Sequence, residues 1–367
     1  MNKSKLRGRL KRPLALLVIA ILCHSAVSAQ TKEARLSVTK EAILARAKQE
    51  GKLSLVPGYD KSTIGPLVSA FNKKYPFIDV SWQMVTGIAA AQRQLFELAA
   101  GKAAVDVFSP STAFTSEYFK QDLIMKYDLK AMAKSAQLKI SAEMIDESGS
   151  VAWLGSNVGV FAYNSKLVTA DKAPRRWEQC VEAQWKGKIA VDTKPSVLAW
   201  LVPTWGEEKV LGFARNLKAN DPRWVRGQTG SLALMAAGEF VVDCGMYLHT
   251  SSRALKRDPT MPIKIVIPED VVAVSFHEPE AIYARARHPH AGLLWMEFIA
   301  SSEGQLLVDT YDPGKASFIA DGTLAGKVMQ GRKVSLCNAV CRNHEDKIIE
   351  RIAVEGWGLP KAGVRPK

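Results

Sequence analysis

Hydrophobic and polar positions between residues 52 and 85 follow the pattern of a strand, a loop, a helix and a second strand. Leu53–Pro57 is a short apolar run closed by Pro57-Gly58, which is typical of a buried strand that ends in a turn. Apolar residues at helical spacing run from Ile64 to Phe71, and Ile78–Val85 supplies the next strand. Such a unit implies parallel strands, and open parallel sheets bind ligands beyond the carboxyl ends of their strands.

The same patterns predict further helices and strands along the mature chain, with a helical stretch near residues 347–354 at its end, and therefore an α/β fold. A third strand is expected at 104–108. The segments 151–154 and 158–163 are expected to form two strands separated by a bend at Gly155-Ser156-Asn157. Later strands are expected at 188–192, 241–247, 263–267, 271–276 and 281–284, and Pro203 is expected to break a helix between 198 and 217.

Polar residues that follow the predicted strands are the candidate ligand contacts. Their hydroxyl groups and the free N–H groups of helix starts suit carboxylate, phosphate or phosphonate groups. Each could equally cap a helix or satisfy a turn, but Tyr59 and Tyr247 are favoured because a tyrosine in such a loop has no obvious core to fill. The candidate set is Tyr59, Asp60, Thr86, Gly87, Ser109, Ser111, Thr112, Thr229, Ser231 and Tyr247.

The first 29 residues have the pattern of a secretory signal peptide, which implies an exported protein. Six basic residues precede the apolar run Leu14–Leu22, which is too short to span a bilayer, and Val27-Ser28-Ala29 resembles a cleavage site. The formal net charge of +14 includes those six charges, so the mature chain would carry +8. Its basic residues are scattered, which argues against nucleic-acid binding and is compatible with a basic cleft for anions.

Four cysteines remain after the predicted cleavage, and an even number in an exported chain indicates disulfides. Of the three connectivities, we favour Cys180 with Cys244 and Cys337 with Cys341, because each pair lies within one predicted region. The second pair could not close easily if residues 337–341 were a regular helix. No motif of a hydrolase, metalloprotease, P-loop or dinucleotide-binding protein occurs in the chain, so we expect no catalytic residues and no cofactor.

A series of short segments resembles, in order, the periplasmic solute-binding proteins of ATP-driven importers, in the class that takes up ferric iron, thiamine, putrescine and phosphonates. The matching segments are residues 47–52, 71–76, 100–102 with Asp106-Val107, 162–164, 185–189, 237–239, 267–270, and 288–289 through 302–305.

The resemblance implies a two-lobed, type II periplasmic-binding-protein-like fold in which each lobe is a mainly parallel sheet flanked by helices and two crossing strands form a hinge. Residues 30–155 and 272–330 would form lobe 1, residues 156–271 lobe 2, and residues 331–367 a C-terminal extension. It also implies a periplasmic protein that closes over a small solute and docks on an ABC permease of the inner membrane. We expect it to act as a monomer.

Iron-binding members of that class usually hold the metal with two adjacent tyrosines, whereas this chain has Tyr247-Leu248 at that position. A ferric site would have only Tyr59, Asp60 and Tyr247, fewer anionic oxygens than a hard ion prefers, so a small organic anion is favoured as the solute. Ferric iron transport remains the alternative. A ligand sensor for a receptor kinase and an enzyme on the same fold are alternatives of other classes.

Overall fold

The computed structural model describes residues 38–364, so the predicted signal peptide lies outside the described range. The strands are β1 (Lys52–Val56), β2 (Asp79–Trp82), β3 (Val107–Phe108), β4 (Val151–Asn164), β5 (Ile189–Asp192), β6 (Arg223–Val225), β7 (Val242–Tyr247), β8 (Ile263–Val266), β9 (Val272–Ile282) and β10 (Val334–Cys337).

The helices alternate with these strands, as the sequence pattern predicts for an α/β fold. They are α1 (Lys40–Glu50), α2 (Lys61–Lys74), α3 (Ile88–Ala99), α4 (Thr115–Lys120), α5 (Leu129–Lys134), α6 (Ser196–Ala199), α7 (Val202–Trp205), α8 (Glu207–Ala219), α9 (Gln228–Ala237), α10 (Leu248–Arg257), α11 (Pro289–Ala300), α12 (Ser302–Tyr311), α13 (Leu324–Met329) and α14 (Ala339–Arg351). The helix expected between 198 and 217 is broken as predicted, with Pro203 in the first turn of α7.

The described strands share one sheet in the order β2-β1-β3-β9-β4-β7-β5-β6, with β10 beside β9 and β8 beside β4. The strands β1, β2 and β3 run parallel to each other, and so do β5, β6 and β7. Between these two sets, β4 runs antiparallel to β9 along its first part and antiparallel to β7 and β8 along its second part. The two parallel sets are therefore joined through β4 and β9.

Two sequence-based boundaries are wrong, because β4 and β9 are each one long strand. Gly155-Ser156-Asn157 forms no bend but lies within β4, where a Cβ on Gly155 would approach the Lys315 carbonyl oxygen to 2.8 Å. The glycine is therefore needed for close approach to a neighbouring segment and not for a turn. In β9 the expected gap between 276 and 281 is bridged by residues 277–280, although Glu278 has a positive φ of 55°.

The apolar residues form one large cluster around α2 and α11 and another around α8 and Trp177. The second cluster includes Ile348 and Ile352, together with Trp357 near the chain end. The C-terminal segment is therefore packed into a core, and it is not a loose appendage.

Both favoured cysteine pairs are confirmed. Cys180 and Cys244 are bonded with their Cα atoms 6.3 Å apart, and Cys337 and Cys341 with theirs 5.0 Å apart. The short pair closes because Cys337 ends β10 and Cys341 lies in the first turn of α14, so the intervening residues are not one regular helix.

Candidate functional site

A cavity of about 730 Å³ lies where strand ends and loops of both parallel sets meet, and its volume suits a small organic molecule. The loop after β3, the strand β4, the loop after β5, the end of β7, the strand β9 and the helix α14 all contribute to its walls. Lining residues from these elements include Thr112, Thr115, Trp153, Asn157, Lys194, Ser196, Trp200, Tyr247, Ser275, His277, Arg342 and Glu345.

One wall of the cavity is aromatic. The rings of Tyr247 and Trp200 are stacked with centroids 5.3 Å apart, and the Trp200 indole donates a hydrogen bond of 2.7 Å to Glu345. Burial raises the pKa of the Tyr247 hydroxyl well above its ordinary value, so this group remains protonated and can donate to a solute.

The backbone of Tyr247 is held by Gln228 at the start of α9. The Gln228 side chain accepts a 2.9 Å hydrogen bond from the Tyr247 N–H and donates a 3.1 Å bond to the Gly245 carbonyl oxygen. Sequence reasoning singled out the neighbouring Thr229 and Ser231 but missed this positioning residue, because an amide that bonds to a distant strand leaves no local signal.

The guanidinium of Arg342, from α14, lies over the face of Trp153 with its Cζ 3.7 Å from the ring centroid. Its Nη1 donates to the Ser275 hydroxyl at 3.0 Å and to the Phe276 carbonyl oxygen. Burial lowers the pKa of Arg342 to about 10, although the nearby Glu345 and Asp346 act in the opposite direction. Arg342 therefore remains a cation at neutral pH.

Beside the cavity lies a buried charge network of Glu278, Lys315 and His277. The Lys315 ammonium is 2.7 Å from Glu278 Oε1, and His277 Nδ1 is 2.9 Å from the same oxygen. Burial alone would raise the pKa of Glu278, but the Lys315 ammonium and the His277 hydrogen bond lower it to about 2. Burial and then Lys315 lower the pKa of His277, so a neutral imidazole faces the cavity at pH 7.

Close to this network, Glu280 is 1% exposed, and neither of its carboxylate oxygens has a hydrogen-bond partner among the described residues. Burial and the negative charge of Glu278 raise the pKa of Glu280 to about 8. Glu280 is thus largely uncharged at neutral pH, as a buried carboxyl without a cation nearby must be.

Of the ten predicted site residues, Thr112 and Tyr247 line the cavity. Tyr59 belongs to a core cluster at 2% exposure and donates to the Leu154 carbonyl oxygen, so the expectation that it has no core to fill is wrong. Asp60 pairs with Arg253 at 2.7 Å, and Ser231 donates to Asp243 at 2.8 Å.

The remaining predicted residues lie outside the cavity lining. Thr86, Gly87 and Thr229 are exposed, and Gly87 precedes α3 with a φ of 82°. Ser109 and Ser111 are partly buried in the loop after β3, where Ser111 precedes a short 3₁₀ turn. The structure thus brings Thr112 and Tyr247 together with lining residues that were not singled out, above all Lys194, Ser196, Trp200 and Arg342.

Among residues 38–364 no three His, Cys, Asp or Glu side chains come together in a group that could hold a metal ion. Of the three residues considered for iron, Tyr59 belongs to the core, Asp60 pairs with Arg253, and Tyr247 alone lines the cavity. The described helices also include none that is long and apolar enough to cross a membrane.

Residues 102–313 match the family model of bacterial extracellular solute-binding proteins. Among solved structures, a Bordetella ferric binding protein is similar with a TM-score of 0.67 at 17% identity, covering 83% of this chain and 99% of that chain. A Trichodesmium protein in complex with iron and citrate has a TM-score of 0.65 at 16% identity, covering 84% and 100%.

A third similar structure is the substrate binding protein of an ABC transporter from Agrobacterium tumefaciens, with a TM-score of 0.60 at 20% identity, covering 85% of this chain and 97% of that chain. A sequence search of curated proteins found no match. At these identities the solved structures establish the fold, a mixed α/β architecture shared with periplasmic binding proteins.

Proposed function

We propose that this chain, which belongs to the family of bacterial extracellular solute-binding proteins, is the substrate-binding component of an ABC importer that captures a small organic anion. The observation that carries the proposal is the donor set of the cavity: hydroxyl groups of Thr112, Ser196 and Tyr247, the Lys194 ammonium and the Arg342 guanidinium. Groups of this kind recognise carboxylate, phosphate and phosphonate oxygens. The similar Agrobacterium protein belongs to an ABC transporter by its own description, which supports the assignment to an importer.

The cavity lining also contains acidic residues, but they weaken the attraction of Lys194 and Arg342 for an anion less than their number suggests. Asp146 already accepts bonds from the Ser148 hydroxyl and from two backbone N–H groups, and Glu345 accepts from Trp200. Glu147 and Asp346 are exposed, where water screens their charge. The basic Arg342 lies deeper, so an anion is the better match for the interior.

We further infer that residues 30–155 with 272–330 act as one lobe and residues 156–271 as the other, with β4 and β9 as the strands on which they move. The apolar cluster around α2 lies within the first set and the cluster around α8 mainly within the second, which supports this division, while a third cluster joins Val272 and Val274 of β9 to Val158 of β4 where the two sets meet. A solute that touches residues of both lobes, such as Thr112 and Tyr247, would favour the closed arrangement through its higher affinity for that state. The loaded protein would then dock on a permease in the inner membrane and release the solute unchanged.

Ferric iron is the second candidate, because similar structures include a ferric binding protein and a protein in complex with iron and citrate. The anion is favoured because Tyr247 is the one predicted iron ligand in the cavity lining. A citrate-like carboxylate would also satisfy the basic side chains without a metal.

The proposal is tested on protein exported and purified from the periplasm of its own host. Native mass spectrometry identifies a retained solute, and thermal-shift titrations compare ferric citrate, iron-free citrate and small phosphonates. We expect an anion to be retained and stabilisation that does not depend on iron. Tyr247→Phe should weaken anion binding about tenfold, the loss of one hydrogen bond. Binding that requires ferric iron and disappears in Tyr247→Phe would instead establish the iron-binding alternative.

A further inference from the structure

We propose that Arg342 is the anchor for the anionic group of the solute, so that the C-terminal segment 331–364 is part of the binding site. This inference rests on the proposed function and specifies it. The family match ends at residue 313, so Arg342 lies outside the segment that the chain shares with its family. The ligand class that follows is an organic carboxylate or phosphonate with an apolar, preferably aromatic body.

First, the Arg342 cation has no direct counter-ion among the described residues, although Glu345 and Asp346 lie near enough to act on its pKa. Its hydrogen bonds go to a hydroxyl and a carbonyl oxygen, both neutral, and its Nε is buried with no partner among the described residues. No carboxylate of the described chain forms an ion pair with it. Because a buried cation without a partner is costly, an anion that enters the cavity beside it would gain a strong charge-assisted interaction.

Second, Arg342 is held in place by packing and by hydrogen bonds. Trp153 supports one face of the guanidinium, and Ser275 with the Phe276 carbonyl oxygen fixes Nη1. Among the described residues Nη2 has no hydrogen-bond partner, and Arg342 lines the cavity, so Nη2 remains available to a solute. An arginine ordered before binding loses little conformational entropy when it forms a two-pronged contact with a carboxylate.

Third, the C-terminal segment 331–364 is itself attached to the cavity wall. Cys337 lies beside Ser275 in the register of β10 with β9, and Ser275 is the residue that bonds Arg342. The disulfide from Cys337 to Cys341 and the Asn338 side chain, which accepts from the Cys341 N–H at 3.2 Å, fix the start of α14 one residue before Arg342. This packing directs the arginine to the cavity.

The aromatic wall indicates the remainder of the ligand. Trp153 and Tyr247 both line the cavity, and rings of this kind favour a planar or apolar body next to the anionic group. Benzoate and phenylphosphonate are therefore suitable probes, and benzamide is a neutral probe of the same size and shape.

The test is isothermal titration calorimetry of the full mature chain with these three probes at pH 7. We expect benzoate or phenylphosphonate to bind about tenfold or more tightly than benzamide, and Arg342→Gln to abolish this preference. Arg342→Lys should retain part of it, because the charge remains while the planar fork is lost. Arg351→Gln is the matched control, since Arg351 lies on the same helix, is only partly buried, lies outside the cavity lining and pairs with Glu355.

Each outcome decides a separate point. If the wild-type protein shows no preference for the anionic probes, both the proposed function and this inference fail. If the preference persists unchanged in Arg342→Gln, the inference fails while the proposed function stands. Equal loss in Arg342→Gln and Arg342→Lys, with normal thermal stability of both variants, would indicate a structural role for the guanidinium and would also overturn the inference.

Discussion

Glu280→Gln should stabilise the protein at neutral pH, and the gain should depend on pH in a defined way. Glu280 is buried in β9, where neither oxygen has a hydrogen-bond partner among the described residues, and burial followed by the charge of Glu278 raises its pKa from 4.5 to about 8. In the unfolded chain the carboxyl ionises near its ordinary pKa. Between these two values the folded state binds a proton that the unfolded state has released, so the free energy of unfolding falls as the pH rises.

The magnitude follows from that difference in pKa. At pH 7 the retained proton lowers the free energy of unfolding by about 3 kcal/mol, since each pKa unit between 4.5 and 7 corresponds to about 1.4 kcal/mol. Below pH 4.5 the carboxyl is protonated in both states, so its titration no longer lowers the free energy of unfolding. Glutamine resembles the protonated carboxyl in shape, and it removes the titration without leaving a cavity.

The assay is urea unfolding followed by circular dichroism at several pH values from 4.5 to 8. We expect the variant and the wild type to differ little at pH 4.5, and the variant to be more stable by up to about 3 kcal/mol at pH 7. Glu303→Gln is the control, because Glu303 is exposed and pairs with Lys74 on the surface, where such pairs contribute at most about 1 kcal/mol. A difference between Glu280→Gln and wild type that stays constant across this pH range would refute the reasoning.

Two further predictions concern the elements that shape the cavity. The double variant Cys337→Ala, Cys341→Ala should remain folded but lose about 2 kcal/mol of stability in denaturant unfolding, as expected for a short closed loop. It should also bind the anionic probes more weakly in calorimetry, because the start of α14 is no longer held by the disulfide. Unchanged binding would contradict this second expectation. Gly58→Ala should cost about 1–3 kcal/mol in thermal unfolding, because its Cβ would clash with the Glu278 carboxylate and lie 2.8 Å from Ser109 Oγ. An unchanged melting temperature would contradict this prediction and would mean that Glu278 and Ser109 can move aside at little cost.

Most of the fold could be predicted because periodicity is local. The spacing from Ile64 to Phe71 is enough to define α2, and the buried residues of that helix include both ends of the stripe. The same reasoning fails at residues 277–280, where three ionisable residues interrupt an apolar pattern that otherwise predicts a strand. They are tolerated inside β9 because Lys315, distant in sequence, balances Glu278, and no local pattern reveals that partner.

The site was less predictable for the same physical reason. Tyr247 could be found because it ends a recognisable strand, whereas Tyr59 occupies an equivalent position but turns into the core. Arg342 stands in a polar helical stretch where arginine is ordinarily an exposed residue. Its packing on Trp153 and its bonds to Ser275 and Phe276 distinguish it from Arg351, which pairs with Glu207 and Glu355.

The disulfide between Cys337 and Cys341 bears on the stage at which the protein becomes able to bind its solute. Thiols stay reduced in the cytosol and pair only after export. If the chain is exported as its first 29 residues predict, and if the proposed role of Arg342 holds, a newly made chain would bind the solute more weakly before export than after it. Formation of the disulfide would then restrict full affinity for the solute to the exported protein.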